Sequence, residues 1–319
     1  MAARQPAIGL DLGGTKLLGL AVDADGRVLG RALRPTPHGG RDELIAALAT
    51  TAHEAAAAAG LEVSRTAGVG IGAPGPTDPE SGVLLEPPNL PADCHDLALR
   101  DLLEPRLGVP VRVENDANVA ALGEHRYGAG RGVADLLYIT ISTGIGGGVI
   151  ANGRLLRGAG LVAGEIGHMV LAPDGSDICG CGRTGCWEAI CSGTGIARQG
   201  RAAAGLLRRA GGDAAAVSAE LVLQACAAGD PAAQAIVARA VRYNGLALQN
   251  LLHLFSPGLI VIGGGLTHRW DAVVAPAARW ALAHAMRRAA AACQIVPAQL
   301  GDLVGGLGAA ALFADGTAL

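Results

Sequence analysis

Three cysteines and a histidine near the middle of the chain have the types and the spacing of metal ligands. Cys179, Cys181 and Cys186 fall within eight residues, and His168 lies eleven residues before the first of them. One imidazole and three thiolates fill the tetrahedral shell of a structural zinc ion and leave no open position for water chemistry. A chance cluster without a metal is the alternative, although free cysteines usually stand singly in apolar runs. The spacing therefore predicts a structural Zn²⁺ site.

The segment that holds these donors also carries two acidic residues, Glu165 in Gly-Glu-Ile-Gly-His and Glu188 in Cys-Trp-Glu. Carboxylates can accept hydrogen bonds from the hydroxyls of a polyhydroxylated ligand. Such a ligand requires acceptors in fixed positions, which a bound metal would provide for the surrounding loop. We therefore expect Glu165 and Glu188 to bind a sugar-like ligand.

Two glycine-rich turns could bind phosphate. Asp11 lies in a predicted strand at 8–12 that leads into Gly-Gly-Thr-Lys, and a predicted strand at 137–141 leads into Ser-Thr-Gly-Ile-Gly-Gly-Gly at 142–148. Glycines let backbone N–H groups approach an anion, and Asp11 could hold a metal-bound phosphate. A plain hairpin is the alternative for either turn alone. Because both turns occupy the same place in a repeated pattern, we expect them to face each other across an interdomain cleft and to bind a triphosphate.

A dinucleotide-binding Rossmann site is the competing interpretation of this glycine usage. Its fingerprint places the glycines between a strand and a helix of a βαβ unit, whereas both turns here join strand to strand. A third glycine turn, Gly263-Gly264-Gly265, does follow a predicted strand at 259–262 and precede a helix. We interpret this turn as packing space for a nucleoside, with a tight structural turn as the alternative.

Asp116 lies where a predicted strand at 111–113 ends and a helix begins, within Glu-Asn-Asp-Ala-Asn. A carboxylate there could act as a general base that accepts the proton of a sugar hydroxyl as its oxygen attacks a terminal phosphate. A helix N-cap is the structural alternative for an aspartate at such a junction. Asn115, and Asn89 in Pro-Pro-Asn-Leu-Pro, could exchange hydrogen bonds with sugar hydroxyls.

The strands that would position these residues occur in a repeated order. Three predicted strands between residues 8 and 33 form a β-meander, and three more between residues 137 and 156 repeat its order and its turns after about 130 residues. Helices are predicted over 42–59 and 97–107, and they dominate after Trp187. A repeat of this length indicates two related α/β domains and excludes a solenoid.

Composition narrows the class of protein. The 319 residues are 50% hydrophobic but only 3% aromatic, so small and aliphatic side chains must build the core. The net charge of −3 comes without a basic block, which argues against nucleic acid as a partner. No apolar stretch has the length of a signal peptide or a membrane span, and seven cysteines, an odd number, fit a reducing compartment. We expect a cytoplasmic protein without a membrane partner.

These motifs together resemble the ROK family of sugar kinases and sugar-responsive repressors over nearly the whole chain. The pairing of Gly-Glu-Ile-Gly-His with Cys-Gly-Cys-Gly-Arg-Thr-Gly-Cys-Trp-Glu is specific to that family. The resemblance implies a two-domain actin-like, or ribonuclease H-like, sugar kinase fold with a duplicated meander. We expect residues 1–116 with about 303–319 to form the smaller domain, and 117–302 to form the larger domain with the zinc site. The family also implies a homodimer or a homotetramer.

Carried over to this sequence, the resemblance implies a role for each candidate residue. Asp116 would be the catalytic base, and ATP with Mg²⁺ would be the phosphoryl donor. Zinc would be bound by His168, Cys179, Cys181 and Cys186, the sugar by Asn89, Asn115, Asp116, Glu165, His168 and Glu188, the phosphates by Asp11, Gly13, Gly14, Thr15, Thr143, Gly144, Gly146 and Gly147, and the adenosine by Gly264 and Gly265.

The preferred sugar is the open part of this hypothesis. Ala-Pro-Gly-Pro at 73–76 and Ser-Gly-Thr-Gly-Ile after the cysteines resemble the bacterial glucokinase branch. Residues 91–96, however, replace a tryptophan-containing segment that is common in glucokinases. Glucose phosphorylation is therefore the first expectation, with N-acetylglucosamine, N-acetylmannosamine, mannose or fructose as alternative acceptors and polyphosphate as an alternative donor. A sugar-sensing repressor is less favoured, since only seven residues precede Ile8 and no basic region exists elsewhere.

Overall fold

A computed structural model of the chain describes residues 5–88 and 90–314. The chain divides into two compact units. Unit 1 comprises residues 1–138, 148–164 and 298–319, and unit 2 comprises residues 139–147 and 165–297. The domain boundaries expected from the sequence, after residue 116 and before residue 303, stay a prediction.

The secondary structure alternates short strands with helices, and helices predominate in unit 2. The strands are β1 (Ala7–Leu12), β2 (Lys16–Val22), β3 (Val28–Pro35), β4 (Val69–Ala73), β5 (Thr77–Asp78), β6 (Val83–Leu84), β7 (Leu97–Ala98), β8 (Val111–Asn115), β9 (Leu136–Ile141), β10 (Ile145–Ala151), β11 (Arg154–Leu155), β12 (Leu259–Gly263) and β13 (Gln294–Pro297). The helices are α1 (Arg41–Ala58), α2 (Leu99–Leu107), α3 (Asp116–Tyr127), α4 (Trp187–Cys191), α5 (Gly193–Ala202), α6 (Ala204–Arg209), α7 (Ala219–Ala227), α8 (Pro231–Phe255), α9 (Ala275–His284), α10 (Arg287–Ala292) and α11 (Val304–Ala311).

Unit 1 is built on a five-stranded sheet in the order β3-β2-β1-β4-β8. β1, β2 and β3 pair antiparallel, as the predicted meander requires, while β4 and β8 run parallel to β1. Helix α1 covers β2 and β3 because its apolar residues recur at helical spacing, among them Leu44, Leu48, Ala52 and Ala55, all buried. On β1, Ile8, Leu10 and Leu12 belong to the same apolar core.

The last helix of the chain, α11, completes the unit that the first strand begins. Its sequence is Val-Gly-Gly-Leu-Gly-Ala-Ala-Ala, and it packs against β1, β4 and α3. Leu307 and Ala310 join an apolar cluster with Leu18, Leu20 and Val22 of β2. Small side chains allow the backbone of this helix to lie close to the sheet.

Two further sheets follow. One has the order β11-β10-β9-β12-β13, with β12 and β13 parallel, and the other is a three-stranded antiparallel sheet of β5, β6 and β7. The sequence did not predict the small sheet, because strands of two residues have no measurable periodicity. The helix predicted over 97–107 begins two residues later, because Leu97 and Ala98 form the short strand β7 and pair with β6. The glycine turn predicted over 142–148 is also shorter, because β10 already begins at Ile145.

In unit 2, helix α8 is the central element. It begins at Pro231 with Asp230 as N-cap, whose carboxylate accepts from the N–H groups of Ala232 and Ala233, and it packs against α7 and α9. No single helix among residues 5–88 and 90–314 is long and apolar enough to cross a membrane. Helices α7 and α8 satisfy that test only as a pair, which is bent by 112° at its break.

Candidate active site

The four predicted metal donors converge in unit 2. The donor atoms of His168, Cys179, Cys181 and Cys186 all lie within 4.8 Å of one another. Zinc bonds of about 2.3 Å to sulfur and about 2.05 Å to nitrogen, at tetrahedral angles, place two sulfurs about 3.8 Å apart and a sulfur and a nitrogen about 3.6 Å apart. The Sγ atoms of Cys181 and Cys186 are 3.8 Å apart, and Cys179 Sγ lies 3.5 Å from His168 Nδ1. The cluster therefore fits a tetrahedral zinc ion.

The peptide just before these cysteines is held by charged side chains. The Asp177 carboxylate, which is buried, accepts hydrogen bonds from Arg198 of α5, at 2.6 Å, and from Arg239 of α8. Arg198 also donates to the carbonyl oxygens of Ile178 and Ala189. These contacts fix one side of the metal-binding loop by bonds that do not involve the four donors.

Glu188 joins the metal cluster to the second glycine turn, within unit 2. It lies in the first turn of α4, directly after Trp187 and Cys186, the last of the predicted metal donors. Its Oε2 accepts a hydrogen bond from the backbone N–H of Ile145 at 2.8 Å, and its Oε1 lies 3.6 Å from Cys179 Sγ. The N-terminus of α5 holds the same turn, because the N–H groups of Gly193 and Thr194 donate to carbonyl oxygens of the turn. The second turn is thus held by its neighbours in unit 2.

His168 and Glu165 lie on one short helical turn, with Ile166 and Gly167 between them. The Nε2 atom of His168 is 3.8 Å from Glu165 Oε2, while Nδ1 faces Cys179. The Glu165 side chain is exposed, and the His168 ring is half-buried. This geometry lets one imidazole nitrogen bind a metal and the other face a ligand beside Glu165, the double role that the sequence predicts for His168.

The first glycine turn belongs to unit 1 and is largely exposed. Gly13 N–H donates to the carbonyl of Lys16 across the β1–β2 turn, and the Thr36 hydroxyl donates to the carbonyl of Gly13 at 2.6 Å. Gly14 and Thr15 are exposed, so their N–H groups are accessible from one side. The turn has the open backbone that phosphate binding requires.

Asp11 lies beneath this turn, where the start of α11 approaches β1. A β-carbon at Gly305 would lie 2.5 Å from the carboxyl carbon of Asp11, so only glycine leaves room for this side chain. Burial raises the pKa of Asp11 to about 6, although the Lys16 ammonium lowers it. A buried carboxylate is costly to ionise and is stabilised by a nearby cation, such as the metal ion of a metal-bound phosphate.

Asp116 is the first residue of α3 and is exposed. The N-cap role predicted as its structural alternative belongs to Asn115, whose Oδ1 accepts from the N–H groups of Ala117 and Asn118. The Asn115 amide also donates to the carbonyl of Gly75 at 3.1 Å. Asn115 therefore orients the start of the helix, and this leaves one of its amide hydrogens for a ligand.

Asp11 and Asp116 leave the sheet of unit 1 at the same edge. Asp11 pairs with Gly72 of β4, and Gly72 pairs with Glu114 of β8, all in parallel register. Neighbouring strands are about 4.8 Å apart, so the backbones of Asp11 and Glu114 are roughly 10 Å apart, and Asp116 follows two residues later. A carboxylate suited to a metal-bound phosphate and a candidate base thus lie on one side of one sheet.

The remaining predicted nucleotide and sugar residues lie in the following places, and their roles stay predictions. Gly264 has a φ of 92°, and a β-carbon there would lie 2.5 Å from the carbonyl oxygen of Ile141, so a tight structural turn explains this glycine by itself. Gly265 is exposed beside it, and Thr143 and Gly144 form the second turn. Gly146 and Gly147 lie within β10. Asn89 lies outside the described residues.

One charged pair near the candidate base was not predicted. Glu114, the last residue but one of β8, is buried and forms an ion pair with Arg157 at 2.7 Å. The alternating run Val-Arg-Val-Glu places Glu114 on the same face as Arg112 and gives no sign of its burial, and the two partners are 43 residues apart. Cys191 is buried, its thiol donates to the carbonyl of Ala240, and burial raises its pKa, so it is an inert core thiol.

The sequence profile of the ROK family matches residues 7–316. A glucokinase of Streptomyces coelicolor is 35% identical over 317 residues, which cover 96% of this chain and 96% of the relative. An N-acetylmannosamine kinase of Escherichia fergusonii is 34% identical over 270 residues, which cover 84% of this chain and 86% of the relative.

Solved structures show the same similarity. A ROK hexokinase from Thermus thermophilus superimposes with a TM-score of 0.81 and 39% identity, covering 97% of each chain. A ROK family glucokinase from Streptomyces griseus, in complex with glucose and AMPPNP, superimposes with a TM-score of 0.78 and 35% identity, covering 96% of this chain and 98% of the other. The two-domain actin-like α/β fold expected from the sequence is confirmed by these similarities.

Proposed function

The chain belongs to the ROK family and is a hexokinase of the ROK type, and on that premise we propose that it transfers the γ-phosphate of ATP to the 6-hydroxyl of glucose. The observation that carries the proposal is the common sheet edge in unit 1, where Asp11 and Asp116 lie two strands apart. Glucokinase relatives that match almost the whole chain support glucose as the acceptor.

The chemistry needs alignment more than covalent help. In phosphoryl transfer the attacking and leaving oxygens are in line with the phosphorus, and charge develops on the oxygens around it. Asp116 accepts the proton of the sugar hydroxyl as that oxygen forms its bond to the γ-phosphorus, and the bond from phosphorus to the ADP oxygen breaks. The N-cap contacts of Asn115 hold Asp116 at the helix start while the proton moves.

The two glycine turns would bind the phosphates by backbone N–H groups. Mg²⁺, when bound near Asp11, would neutralise charge on the phosphate oxygens. Zinc, held by His168 and the three cysteines, would stabilise the loop that carries Glu165 and Glu188 and has no open position for catalysis. Glu165, Glu188 and the outward nitrogen of His168 would accept or donate hydrogen bonds to the sugar hydroxyls.

The experiment measures ADP release from ATP and Mg²⁺ with glucose, mannose, fructose, N-acetylglucosamine and N-acetylmannosamine. We expect the highest kcat/KM with glucose, and we expect Asp116→Asn to lower kcat by about 10²–10⁴-fold, the range of general-base catalysis. Asp101→Asn is the matched control, since Asp101 is an exposed acidic residue in the first turn of α2. It should leave kcat unchanged.

Two outcomes would contradict the proposal. If folded, zinc-loaded Asp116→Asn keeps kcat within tenfold of the parent protein, another group is the base. If another sugar gives the highest kcat/KM, that sugar replaces glucose as the acceptor, and the N-acetylmannosamine kinase and N-acetyl-D-glucosamine kinase relatives make these two sugars the main alternatives. A panel run with polyphosphate in place of ATP tests the donor in the same way.

A further inference from the structure

A buried polar cluster underlies the start of α3 in unit 1. Its centre is Glu114, whose side chain is 2% exposed. Glu114 Oε2 accepts from Arg157 Nε at 2.7 Å, and Oε1 accepts from Asn118 Nδ2 at 2.9 Å and from the backbone N–H of Asn115 at 3.0 Å. One carboxylate oxygen, Oε1, therefore holds the peptide that carries Asp116, and the other, Oε2, holds Arg157.

Stability alone does not account for this cluster. A buried ion pair often contributes no more to folding than apolar side chains of the same volume, because both charges lose their hydration. Here the cost is higher still, since Arg157 Nη2 and Asn118 Oδ1 are buried without a hydrogen-bond partner among the described residues. A donor and an acceptor retained beside the same carboxylate point to a role in the reaction.

Arg157 is well placed for such a role. It follows β11 at the start of residues 157–164, the end of the middle segment of unit 1, and its side chain is 15% exposed. The segment is compact, because Ala163 N–H donates to the carbonyl of Arg157. Because its backbone is held by this bond, Arg157 can fix Glu114 in one orientation through its guanidinium. Glu114 in turn fixes Asn115 and Asn118.

We propose that Arg157 is a positioning residue for phosphoryl transfer, which acts through Glu114 to hold the Asn115–Asp116 peptide in its reactive geometry. The inference rests on the proposed function, because it takes Asp116 as the base. Without Arg157, the Glu114 carboxylate loses its charged partner and turns away from the Asn115 N–H. The start of α3 then shifts, and a displacement of about 1 Å at a reacting group can cost about 10²-fold in rate.

The experiment compares Arg157→Met, Arg157→Lys, Glu114→Gln and the double variant Arg157→Met with Glu114→Gln. Arg154→Met is the matched control, because Arg154 is an exposed arginine on the neighbouring strand β11. For each protein, kcat, the KM values for sugar and ATP, the zinc content and the thermal midpoint are measured. A merely structural arginine would lower the thermal midpoint and leave the kcat of the folded enzyme unchanged.

We expect Arg157→Met to lower kcat by about 10–10²-fold while both KM values stay within about threefold, because the position of the base matters most in the transition state and the sugar keeps its expected contacts to Glu165, His168 and Glu188. Arg157→Lys should recover part of the loss, since an ammonium keeps the charge and loses the planar fork. The double variant should lose no more than the larger single effect, as expected of residues that act through one contact.

The inference is overturned if Arg157→Met keeps kcat within about twofold of the parent, or if the losses of the two single variants multiply in the double variant. Should Arg157→Met fail to fold, Arg157→Lys decides: a normal kcat contradicts the inference, and a reduced kcat with unchanged KM supports it. Failure of the proposed function itself is separate, because it shows in the parent protein and in Asp116→Asn.

Discussion

The two glycine-rich turns have similar sequences and follow equivalent strands, yet they are stabilised in opposite ways. The first turn, between β1 and β2, lies above Asp11, a residue of its own strand. The hydroxyl of Thr36, directly after β3, donates a hydrogen bond to the Gly13 carbonyl of this turn. In the second turn, between β9 and β10, the N–H of Ile145 donates to the Glu188 carboxylate, 43 residues away and beside the predicted metal donors. The two turns of the repeated meander thus differ: the first lies over an acidic residue of its own strand, Asp11, and the second depends on a carboxylate, Glu188, from a loop distant in the sequence.

The largest expected effect is at Glu188. Glu188→Ala removes the acceptor of Ile145 N–H together with a predicted sugar contact, and a hydrogen bond to a charged group contributes about 1.5–3 kcal/mol. We expect kcat/KM to fall by about 10²-fold or more, with higher KM values for both ATP and sugar. Glu188→Gln keeps the acceptor and should lose less.

Glu165→Ala is the control for this comparison, since Glu165 has no contact with the second turn among the hydrogen bonds and ion pairs of the described residues. It should raise the KM for sugar and leave the KM for ATP unchanged. An ATP KM that is normal in Glu188→Ala would show that the second turn does not depend on this carboxylate.

Zinc removal is expected to have the next largest effect, measured as amide hydrogen exchange, and to act on the second turn and not on the first. Chelation should loosen the loop around Glu188, so that amide hydrogen exchange at Ile145 accelerates about tenfold or more, the factor that corresponds to losing one charged hydrogen bond. Exchange at Gly13 should stay as it was. Equal acceleration in both turns would mean that the metal stabilises the whole chain and has no particular link to the second turn.

Asp11→Asn tests, through the pH dependence of the free energy of unfolding, whether the carboxyl beneath the first turn is buried. The pKa of Asp11 is about 6 in the folded protein and 3.8 ordinarily, so between these values the folded state binds more protons than the unfolded chain. The free energy of unfolding therefore falls as pH rises from about 4 to 6, and the loss is complete above about pH 6. Asp11→Asn should lack this loss and be more stable than the parent at pH 7 by on the order of 1–3 kcal/mol.

Urea unfolding of both proteins at pH 4, 5, 6 and 7 measures the difference. The two curves should meet near pH 4 and separate towards pH 7, and Asp11→Asn should bind ATP and Mg²⁺ more weakly in the same preparations. A constant difference at every pH would contradict the burial of an ionisable carboxyl at this position.

The smallest expected effect is at Thr36. Thr36→Val removes the hydroxyl that donates to the Gly13 carbonyl and keeps the shape of the side chain. We expect the KM for ATP to rise about fivefold, equivalent to about 1 kcal/mol, with kcat unchanged. Thr50→Val, which removes a hydroxyl bonded only within helix α1, is the control and should leave the KM for ATP unchanged.

Most of the sequence-based predictions rest on residues that lie close together in the sequence. The four metal donors converge because three of them fall within eight residues, and the first meander follows from alternating apolar residues and glycine turns. The contacts that stabilise the site are not local. Glu114 meets Arg157 across 43 residues, and Thr36 meets Gly13 across 23, so no pattern in a short window indicates them. The short strands β5, β6 and β7 were unpredicted because two residues have no period.

The packing of α11 on β1 affects how the chain is made. Synthesis proceeds from the N-terminus, and domains tend to fold as soon as their residues are available. The first sheet cannot bury the faces of Leu18 and Leu20 that meet Leu307 until nearly all of the 319 residues have been synthesised. Contacts between residues that are far apart in the sequence form slowly. The apolar residues of β2 therefore stay partly exposed until helix α11 has been synthesised. A truncation that removes α11 would expose these residues of the first sheet again.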